Sequence, residues 1–200
     1  LGGPGRGRGP GALRRVAGDR AVALIRLTTE TLSGIPSIVY GLFGLLFFVT
    51  FLGWGFSLLA GAFTLSMMIL PLIMRSSEEA LKAVPDTYRE GAFGLGAGKL
   101  RTVFKIVLPA AIPGILAGII LAIGRIVGET AALIYTAGTV AQVPTDPMMS
   151  ARTLSVHMYA LSSEGLHTDE GYATAVVLLL VVALINTLPA KIAKRIGGAQ

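Results

Sequence analysis

Long uncharged runs dominate the chain, and charged residues interrupt them at only a few places. The longest run extends from Ile35 to Met74 without a charged residue. One helix needs about 20 apolar residues to cross a bilayer, so this run predicts two spanning helices. The turn Gly53-Trp54-Gly55 would join them, with Trp54 in the interfacial aromatic belt. Together with two later apolar runs, the pattern predicts four transmembrane helices, at residues 36–53, 56–75, 112–137 and 172–190.

The remaining segments differ in character from the spans. Residues 1–18 are rich in Gly, Arg and Pro, which predicts a disordered tail. Residues 19–34 place apolar side chains on one helical face, which predicts an amphipathic helix at the membrane surface. Within the transmembrane domain, residues 35–196, a polar loop at 76–108 separates the second and third spans, and another at 138–171 separates the third and fourth.

Composition supports a membrane protein and excludes several kinds of site. The chain is 53% hydrophobic and 14% charged, with a mean hydropathy of +0.72, whereas soluble domains carry about a quarter charged residues. The lack of cysteine excludes disulfides and cysteine metal sites. His157 and His167 have no carboxylate or cysteine at metal-ligand spacing, so we expect surface residues and no metal site. No nucleophile–base set falls in a predicted pocket, so we expect no catalytic residue and no enzyme.

Basic residues are distributed unevenly between the two polar loops. Six lie within residues 75–108, whereas Arg152 is the single lysine or arginine within residues 138–171. The positive-inside rule therefore predicts that the 76–108 loop and both termini are cytoplasmic. A net charge of +6 would suggest nucleic acid as the partner of a soluble chain. Here the distribution of the charges indicates a bilayer instead.

The stretch EGAFGLGAGKLRTVFKIVLP, residues 90–109, places glycines before a lysine, as a nucleotide-binding P-loop does. A P-loop requires G-x-x-x-x-G-K-[ST]. Phe93 stands where the first glycine should be, and Leu100 stands where the hydroxyl should be. We therefore expect this chain to bind no nucleotide.

Local signals in the same loop predict short helices. Thr87 with Glu90 and Ser76 with Glu79 have the spacing of capping boxes. The second box would restart the backbone as the second span leaves the membrane. The first would begin a helix of about two turns, which closely spaced glycines then end, namely Gly94, Gly96 and Gly98.

This loop resembles the cytoplasmic signature of permeases from binding-protein-dependent ABC importers. That signature reads E-A-A, three residues, G, nine residues, I-x-L-P. The positions are filled here by Glu90, Gly91, Ala92, Gly96, Ile106, Leu108 and Pro109. The one departure is Gly91 in place of alanine, which weakens a helix by about 1 kcal/mol. The resemblance implies an all-α, type I (MetI-like) importer permease fold, in which this coupling loop docks on a separate ATPase subunit.

Four further stretches are similar to the phosphate-specific importer permeases, in particular to the second of the two paralogous subunits. They are IPSIVYGLFGLLFF, LPLIMRSSEEALKAVP, GRIVGETAALIYTAG and GYATAVVLLLVVALIN, and the similarity covers residues 19–196. The resemblance implies ATP-driven import of inorganic phosphate across the plasma membrane, the bacterial inner membrane. It also implies three partners: an ATPase subunit that carries ATP and Mg²⁺, a second permease subunit and an external phosphate-binding protein. Family members have six spans, so we expect a truncated or wrongly joined chain that supplies the last four.

Arg125 and Glu129 are the charged residues within the third predicted span. A charge at the centre of a spanning helix costs roughly 3 kcal/mol, and such residues tend to mark a pathway. At the spacing i, i+4 the two side chains share one helical face. We hypothesise that Arg125 meets the transported oxyanion through its planar fork and that Glu129 orients it. The alternative is a structural ion pair. Arg75 resembles the family arginine that ends the preceding span, or it is a snorkelling anchor.

Smaller polar features and rival functions complete the expectations. Asn186 should hydrogen-bond a neighbouring helix, and two small-xxx-small pairs should allow close helix packing, namely Gly114 with Gly118 and Gly124 with Gly128. The rival functions are permeation of another oxyanion such as molybdate or sulfate, a fragment of a secondary transporter or channel, and an inert structural membrane protein.

Overall fold

The computed structural model describes residues 10–165 and 167–197, which form helices and turns without a strand among them. Short π-helical segments follow two of the helices, at Leu45–Phe51 and Val103–Val107. The helices are α1 Pro10–Ser33, α2 Ser37–Gly44, α3 Leu58–Lys82, α4 Asp86–Gly94, α5 Lys99–Thr102, α6 Leu108–Val127, α7 Ala131–Ile134, α8 Leu154–Glu164 and α9 Thr168–Gly197.

Three helical stretches of the described chain are long and apolar enough to cross a membrane. They are α3, the continuous helix Lys99–Val127, and the Thr168–Thr187 part of α9. The predicted span at 36–53 is shorter, because α2 and its π segment together give about 22 Å of helix, less than the roughly 30 Å hydrocarbon core. A fourth span is reached if Val22–Ser33 and Ser37–Phe51, which meet at 100°, count as one bent element. The predicted all-α, multi-pass class is confirmed.

Helix α3 is the central element, and it packs against α1, α2 and α6. Glycines on α6 allow its close approach to α3. A Cβ on Gly118 would lie 2.4 Å from Ser76 Oγ, and one on Gly114 would lie 2.9 Å from Ala80 Cβ. Gly124 meets Asn186 of α9 in the same way. These three glycines therefore serve helix packing, as small residues do in membrane bundles.

Asn186 and Gly128 differ from their predicted roles. The Oδ1 atom of Asn186 is buried and has no hydrogen-bond partner in the described chain, so the predicted interhelical hydrogen bond is not made there. Gly128 follows the last residue of α6, and a Cβ there would meet only the nearby Arg125 carbonyl. It ends a helix and does not pack against another.

The N-terminal region is more helical than its composition predicts. Helix α1 begins at Pro10, so residues 10–18 are helical and only residues 1–9 of the predicted disordered tail lie outside the described chain. Proline suits the first helical position, and the helix formers Ala12 to Arg15 follow it. Residues 19–33 are helical, as predicted, and this part of α1 packs against α3 through an Arg26–Glu78 ion pair. Its placement at the membrane surface stays a prediction.

The predicted capping box at Ser76 and Glu79 is wrong. Helix α3 continues through both residues to Lys82. Its polar end is held by i, i+4 ion pairs that favour continued helix: Arg75 with Glu79 at 3.1 Å and Glu78 with Lys82 at 2.7 Å. Because α5 opens the next long helix at Lys99, the polar loop predicted at residues 76–108 is shorter in the structure and comprises residues 83–98.

The third predicted span also ends early. Helix α6 stops at Val127, ten residues before the predicted end at Ala137, and the short α7 follows a break at residues 128–130. The segment 138–171 contains α8 and is fastened to the body. The carbonyls of Pro147 and Met149 accept hydrogen bonds from the Leu59 and Leu58 amides at 2.9 and 3.0 Å, which satisfies the first turn of α3.

The predicted turn at Gly53-Trp54-Gly55 is confirmed. Both glycines have positive φ, 68° and 64°, a conformation that glycine adopts without strain. Trp54 stacks on Phe48 at 5.4 Å and meets Phe63 edge-on at 5.5 Å. The indole therefore packs between α3 and the π segment that follows α2.

Candidate functional site: an anchored coupling helix and a two-arginine cavity

Helix α4 is a short helix with non-helical residues on both sides, 83–85 before it and 95–98 after it. Pro85 takes the N-cap position, and no side chain caps the helix, so the predicted Thr87–Glu90 capping box is not formed. The proline places the helix start at Asp86, whose carboxylate lies in the first turn, where the helix dipole favours a negative charge.

Gly96 ends α4 through a specific hydrogen-bond pattern. Its φ is +79°, and its amide donates to the Phe93 carbonyl at 2.9 Å. The next amide, from Ala97, donates to the Ala92 carbonyl at 3.0 Å. These two bonds form a Schellman motif, which needs a left-handed residue at the Gly96 position. The importer signature thus has glycine at this position because the Schellman motif requires a left-handed backbone conformation there.

Arg89 fastens α4 to the end of α3. Its Nη2 donates to the Leu81 carbonyl at 2.9 Å and its Nη1 to the Val84 carbonyl at 3.1 Å, and Asp86 pairs with the same guanidinium. Carbonyls at a helix C-terminus lack intrahelical partners, and a cation there also suits the dipole. The contacts with Leu81 and Val84 therefore fasten α4 to the end of α3, and Asp86, which lies in α4 itself, helps to hold the guanidinium in place.

The signature residues on α4 divide into buried and exposed positions. Ala92 is buried, whereas Glu90 and Gly91 are exposed. A Cβ at Gly91 would meet nothing within 4 Å, so alanine would fit there equally well. Large apolar side chains are exposed on and around the helix, namely Tyr88, Phe93, Leu95, Leu100 and Phe104. An exposed apolar surface of this kind is typical of a protein-binding site.

The end of the signature explains the second π segment. Ile106 lies within Val103–Val107, and Leu108 and Pro109 open α6. Proline has no amide hydrogen and its ring crowds the carbonyl four residues earlier, which disrupts α-helical bonding in the preceding turn. The helix remains continuous from Lys99 to Val127 because the π segment absorbs this disruption.

Arg75 and Arg125 line one cavity of about 230 Å³. Arg75 comes from α3, and Arg125 from the last turn of α6, where a cation complements the helix dipole. The elbow between α1 and α2 forms another wall, with Leu32, Ser33 and Ile35. Two arginines that line one cavity form an arrangement suited to an anion, and the Nε atom of Arg75 is also paired with Glu79 at 3.1 Å.

Glu129 does not join this cavity. The helix breaks after Val127, so the predicted i, i+4 relation with Arg125 is lost and no ion pair between them is present in the described chain. The Glu129 side chain is buried, and its Oε1 accepts a hydrogen bond from the Ala132 amide at 3.1 Å. Ser155 Oγ donates to the Glu129 carbonyl at 2.7 Å. Glu129 therefore organises the start of α7.

Tyr40 belongs to the cavity and was not predicted from the sequence. It is buried, it lines the same cavity, and its hydroxyl donates to the Leu32 carbonyl at 2.9 Å. The hydrogen bond joins α2 to the last turn of α1, across the 100° bend. The available signal was a single phenol within an otherwise apolar run, which also suits a membrane-interface position.

Metal ligands do not cluster in the described residues, where no group of three His, Cys, Asp or Glu side chains could hold an ion. His157 contacts Arg152, and His167 contacts Glu170. The prediction of surface positions holds for His167, whereas His157 is half-buried.

Comparisons with known proteins agree with the signature. The family described as "Binding-protein-dependent transport system inner membrane component" matches residues 11–196. The chain is 38% identical over 175 residues to the phosphate transport system permease protein PstA 2 of Mycobacterium bovis, across 86% of this chain and 58% of the relative. It is 36% identical over 181 residues to the probable ABC transporter permease protein YqgI of Bacillus subtilis, across 84% and 62% respectively.

The comparisons also show how much of each relative the chain covers. The chain spans about three-fifths of the length of these two relatives. No solved structure matches it. The resemblance to phosphate importer permeases is confirmed as sequence similarity, and the family match covers nearly the whole chain. The protein belongs to the family of inner membrane components of binding-protein-dependent transport systems.

Proposed function

We propose that the chain is a transmembrane permease subunit of an ATP-driven importer of inorganic phosphate in the plasma membrane. The observation that carries the proposal is α4, a short helix with the importer signature that is anchored by Arg89 and ended by Gly96. The names of relatives such as PstA 2 support phosphate as the substrate. The two-arginine cavity supports an anion of this class.

Coupling would begin at α4. Its exposed apolar surface would dock in a groove of a separate ATPase subunit, which would carry ATP and Mg²⁺, since the glycine-rich stretch of this chain departs from a P-loop at Phe93 and Leu100. Closure of that subunit would move α4 and the adjoining helix Lys99–Val127 together. This helix carries Arg125 near its far end, so the motion would reach the anion cavity.

Orientation follows from the charge distribution. The coupling loop and both termini would face the cytoplasm, and residues 138–171 would face outward, toward a phosphate-binding protein. A second homologous permease subunit would complete the pathway. In this arrangement Arg75 and Arg125 would bind the anion through their planar forks, and Glu129 would shape the pathway indirectly by holding α7.

The test is uptake of radiolabelled phosphate by the complete transporter in proteoliposomes, with ATP inside or outside. We expect uptake to need ATP and the binding protein. The substitution Arg125→Gln should lower kcat/KM roughly 10- to 100-fold, because hydrogen bonds to charged groups contribute about 1.5–3 kcal/mol. The control Arg125→Lys keeps the charge and loses the planar fork, so its kcat/KM should lie between the values of the unsubstituted protein and of Arg125→Gln.

Three results would contradict the proposal in distinct ways. Uptake driven by an ion gradient without ATP would indicate a secondary transporter. Stronger uptake of sulfate or molybdate than of phosphate would change the substrate and leave the mechanism intact. Phosphate uptake that survives Arg125→Gln unchanged would remove Arg125 from the pathway.

A further inference from the structure

Arg152 occupies an unusual electrostatic position. It is the single lysine or arginine within residues 138–171, which also contain four acidic residues, Asp146, Glu164, Asp169 and Glu170. An anion that approaches this segment therefore meets mainly negative charge. Arg152 is the one place in the segment where a fixed positive charge attracts it.

Neutral groups hold the Arg152 guanidinium in position. Its Nε donates to the Thr139 carbonyl at 2.6 Å, and its Nη1 lies 3.2 Å from His157 Nδ1. Arginine can only donate, so Nδ1 accepts, and the ring hydrogen of neutral His157 is on Nε2. Among the side chains that the structure describes, no carboxylate lies within 4 Å of Arg152. Its Nη2 makes no hydrogen bond to the described protein, so charge and donors remain available.

The backbone around Arg152 is ordered by hydrogen bonds. The Ala151 amide and the Ser150 hydroxyl both donate to the Ala137 carbonyl, at 3.2 and 2.8 Å. Gln142 Nε2 donates to the Ser150 carbonyl at 2.9 Å. Donors fixed in this way lose little conformational entropy when they bind a ligand, which is the advantage of a preorganised site.

Arg152 and His157 line one open cavity of about 320 Å³, together with Gln142 and two small apolar neighbours. The cavity can hold one tetrahedral anion with part of its hydration. We propose that it is a second oxyanion site, separate from the Arg75–Arg125 cavity, which takes a phosphate-class anion on the outward side. The guanidinium would donate to two oxygens of the anion, and His157, which lines the same cavity, would supply Nε2 as a third donor. The outward placement rests on the proposed function.

The site differs from the two-arginine cavity in the affinity that it can provide. It is open to water, and screening weakens each charged interaction there. Weak binding suits a site that receives an anion and passes it on. The chemistry alone would also suit a carboxylate of a docked protein, which the experiment distinguishes from a free oxyanion.

The experiment measures binding of inorganic phosphate to the complete transporter in nanodiscs, without binding protein and without ATP. Arg75→Gln and Arg125→Gln are present in every sample, so that the other cavity does not contribute. We expect Arg152→Gln to weaken phosphate binding roughly two- to fivefold, the range for a charge pair that is screened by water. The control His167→Gln changes the other histidine of the same segment, which is exposed and contacts Glu170. It should leave the affinity unchanged.

Two outcomes would overturn the site. Equal phosphate binding with and without Arg152→Gln would exclude it. A loss of affinity for the binding protein, with phosphate binding unchanged, would make Arg152 a protein contact.

If Arg152→Gln lowers the melting temperature, Arg152→Lys decides the matter, because it keeps the charge but loses the fork and should weaken phosphate binding by a smaller factor. ATP-driven phosphate uptake is measured separately in the transporter without these substitutions. If that transporter shows no uptake, the proposed function fails, and this result is distinct from the binding result for Arg152.

Discussion

Substitution of Gly96 offers the sharpest test of how α4 ends, because it strains the backbone without adding or removing a side-chain contact. A Cβ at this position would meet nothing within 4 Å, so Gly96→Ala introduces no clash. The residue has a φ of +79°, and an L-residue in the left-handed region costs roughly 1–2 kcal/mol. That free energy corresponds to about a 5- to 30-fold change in the population of the Schellman motif.

Hydrogen exchange of the transporter in nanodiscs measures this change directly. We expect the amides at positions 96 and 97 to exchange roughly 5- to 30-fold faster in Gly96→Ala, since they donate the two hydrogen bonds of the motif. Phosphate-stimulated ATPase activity should fall with them, because α4 then docks in several conformations. Gly96→Asn should be milder, since asparagine tolerates the left-handed region.

Gly94→Ala is the matched control. It makes the same chemical change two residues earlier, where a Cβ also meets nothing and φ is not positive. Alanine within a helix is more stable than glycine by about 0.5–1 kcal/mol, so this variant should exchange more slowly or remain unchanged. If Gly96→Ala and Gly94→Ala gave equal exchange rates, the conformational reason for the signature glycine would be refuted.

Two further substitutions test the packing and the role of Glu129. Gly118→Ala would place a Cβ 2.4 Å from Ser76 Oγ, so the free energy of unfolding should fall by about 1–3 kcal/mol, with most of it recovered by adding Ser76→Gly. Thermal unfolding in nanodiscs measures both, and an unchanged melting temperature for the single variant would mean that α3 and α6 lie further apart. Glu129→Ala should lose about 0.5–2 kcal/mol of stability, as a lost helix cap does, whereas Glu129→Gln keeps an acceptor for the Ala132 amide. Phosphate uptake abolished equally by both would show that the charge itself is needed.

The helical class and the position of the coupling helix could be predicted because they depend on local properties. Uncharged runs report spanning helices directly, and Pro85 and Gly96 mark both ends of α4 through their own backbone preferences. The spacing of the importer signature was enough to identify the family.

The failures occurred where two local signals compete or where distant residues decide. Ser76 and Glu79 have the spacing of a capping box, yet the ion pairs of Arg75 and Glu78 continue the helix. Glu129 sits four residues after Arg125, but the break at Gly128 turns its carboxylate toward Ala132. Spacing along a sequence gives a shared helical face only if the helix persists, and that depended on tertiary packing.

Helix α3 has consequences beyond its own packing, since both of its ends are tied by hydrogen bonds to other segments. The carbonyls of Pro147 and Met149 hold its first turn, and Arg89 holds the carbonyl of Leu81 in its last turn. The 25 residues of α3 form a helix about 38 Å long. A displacement of residues 147–149 must therefore either move α3 or break those hydrogen bonds. Under the proposed function, contact of a substrate-delivering protein with residues 147–149 would be transmitted along α3 to α4 through these hydrogen bonds.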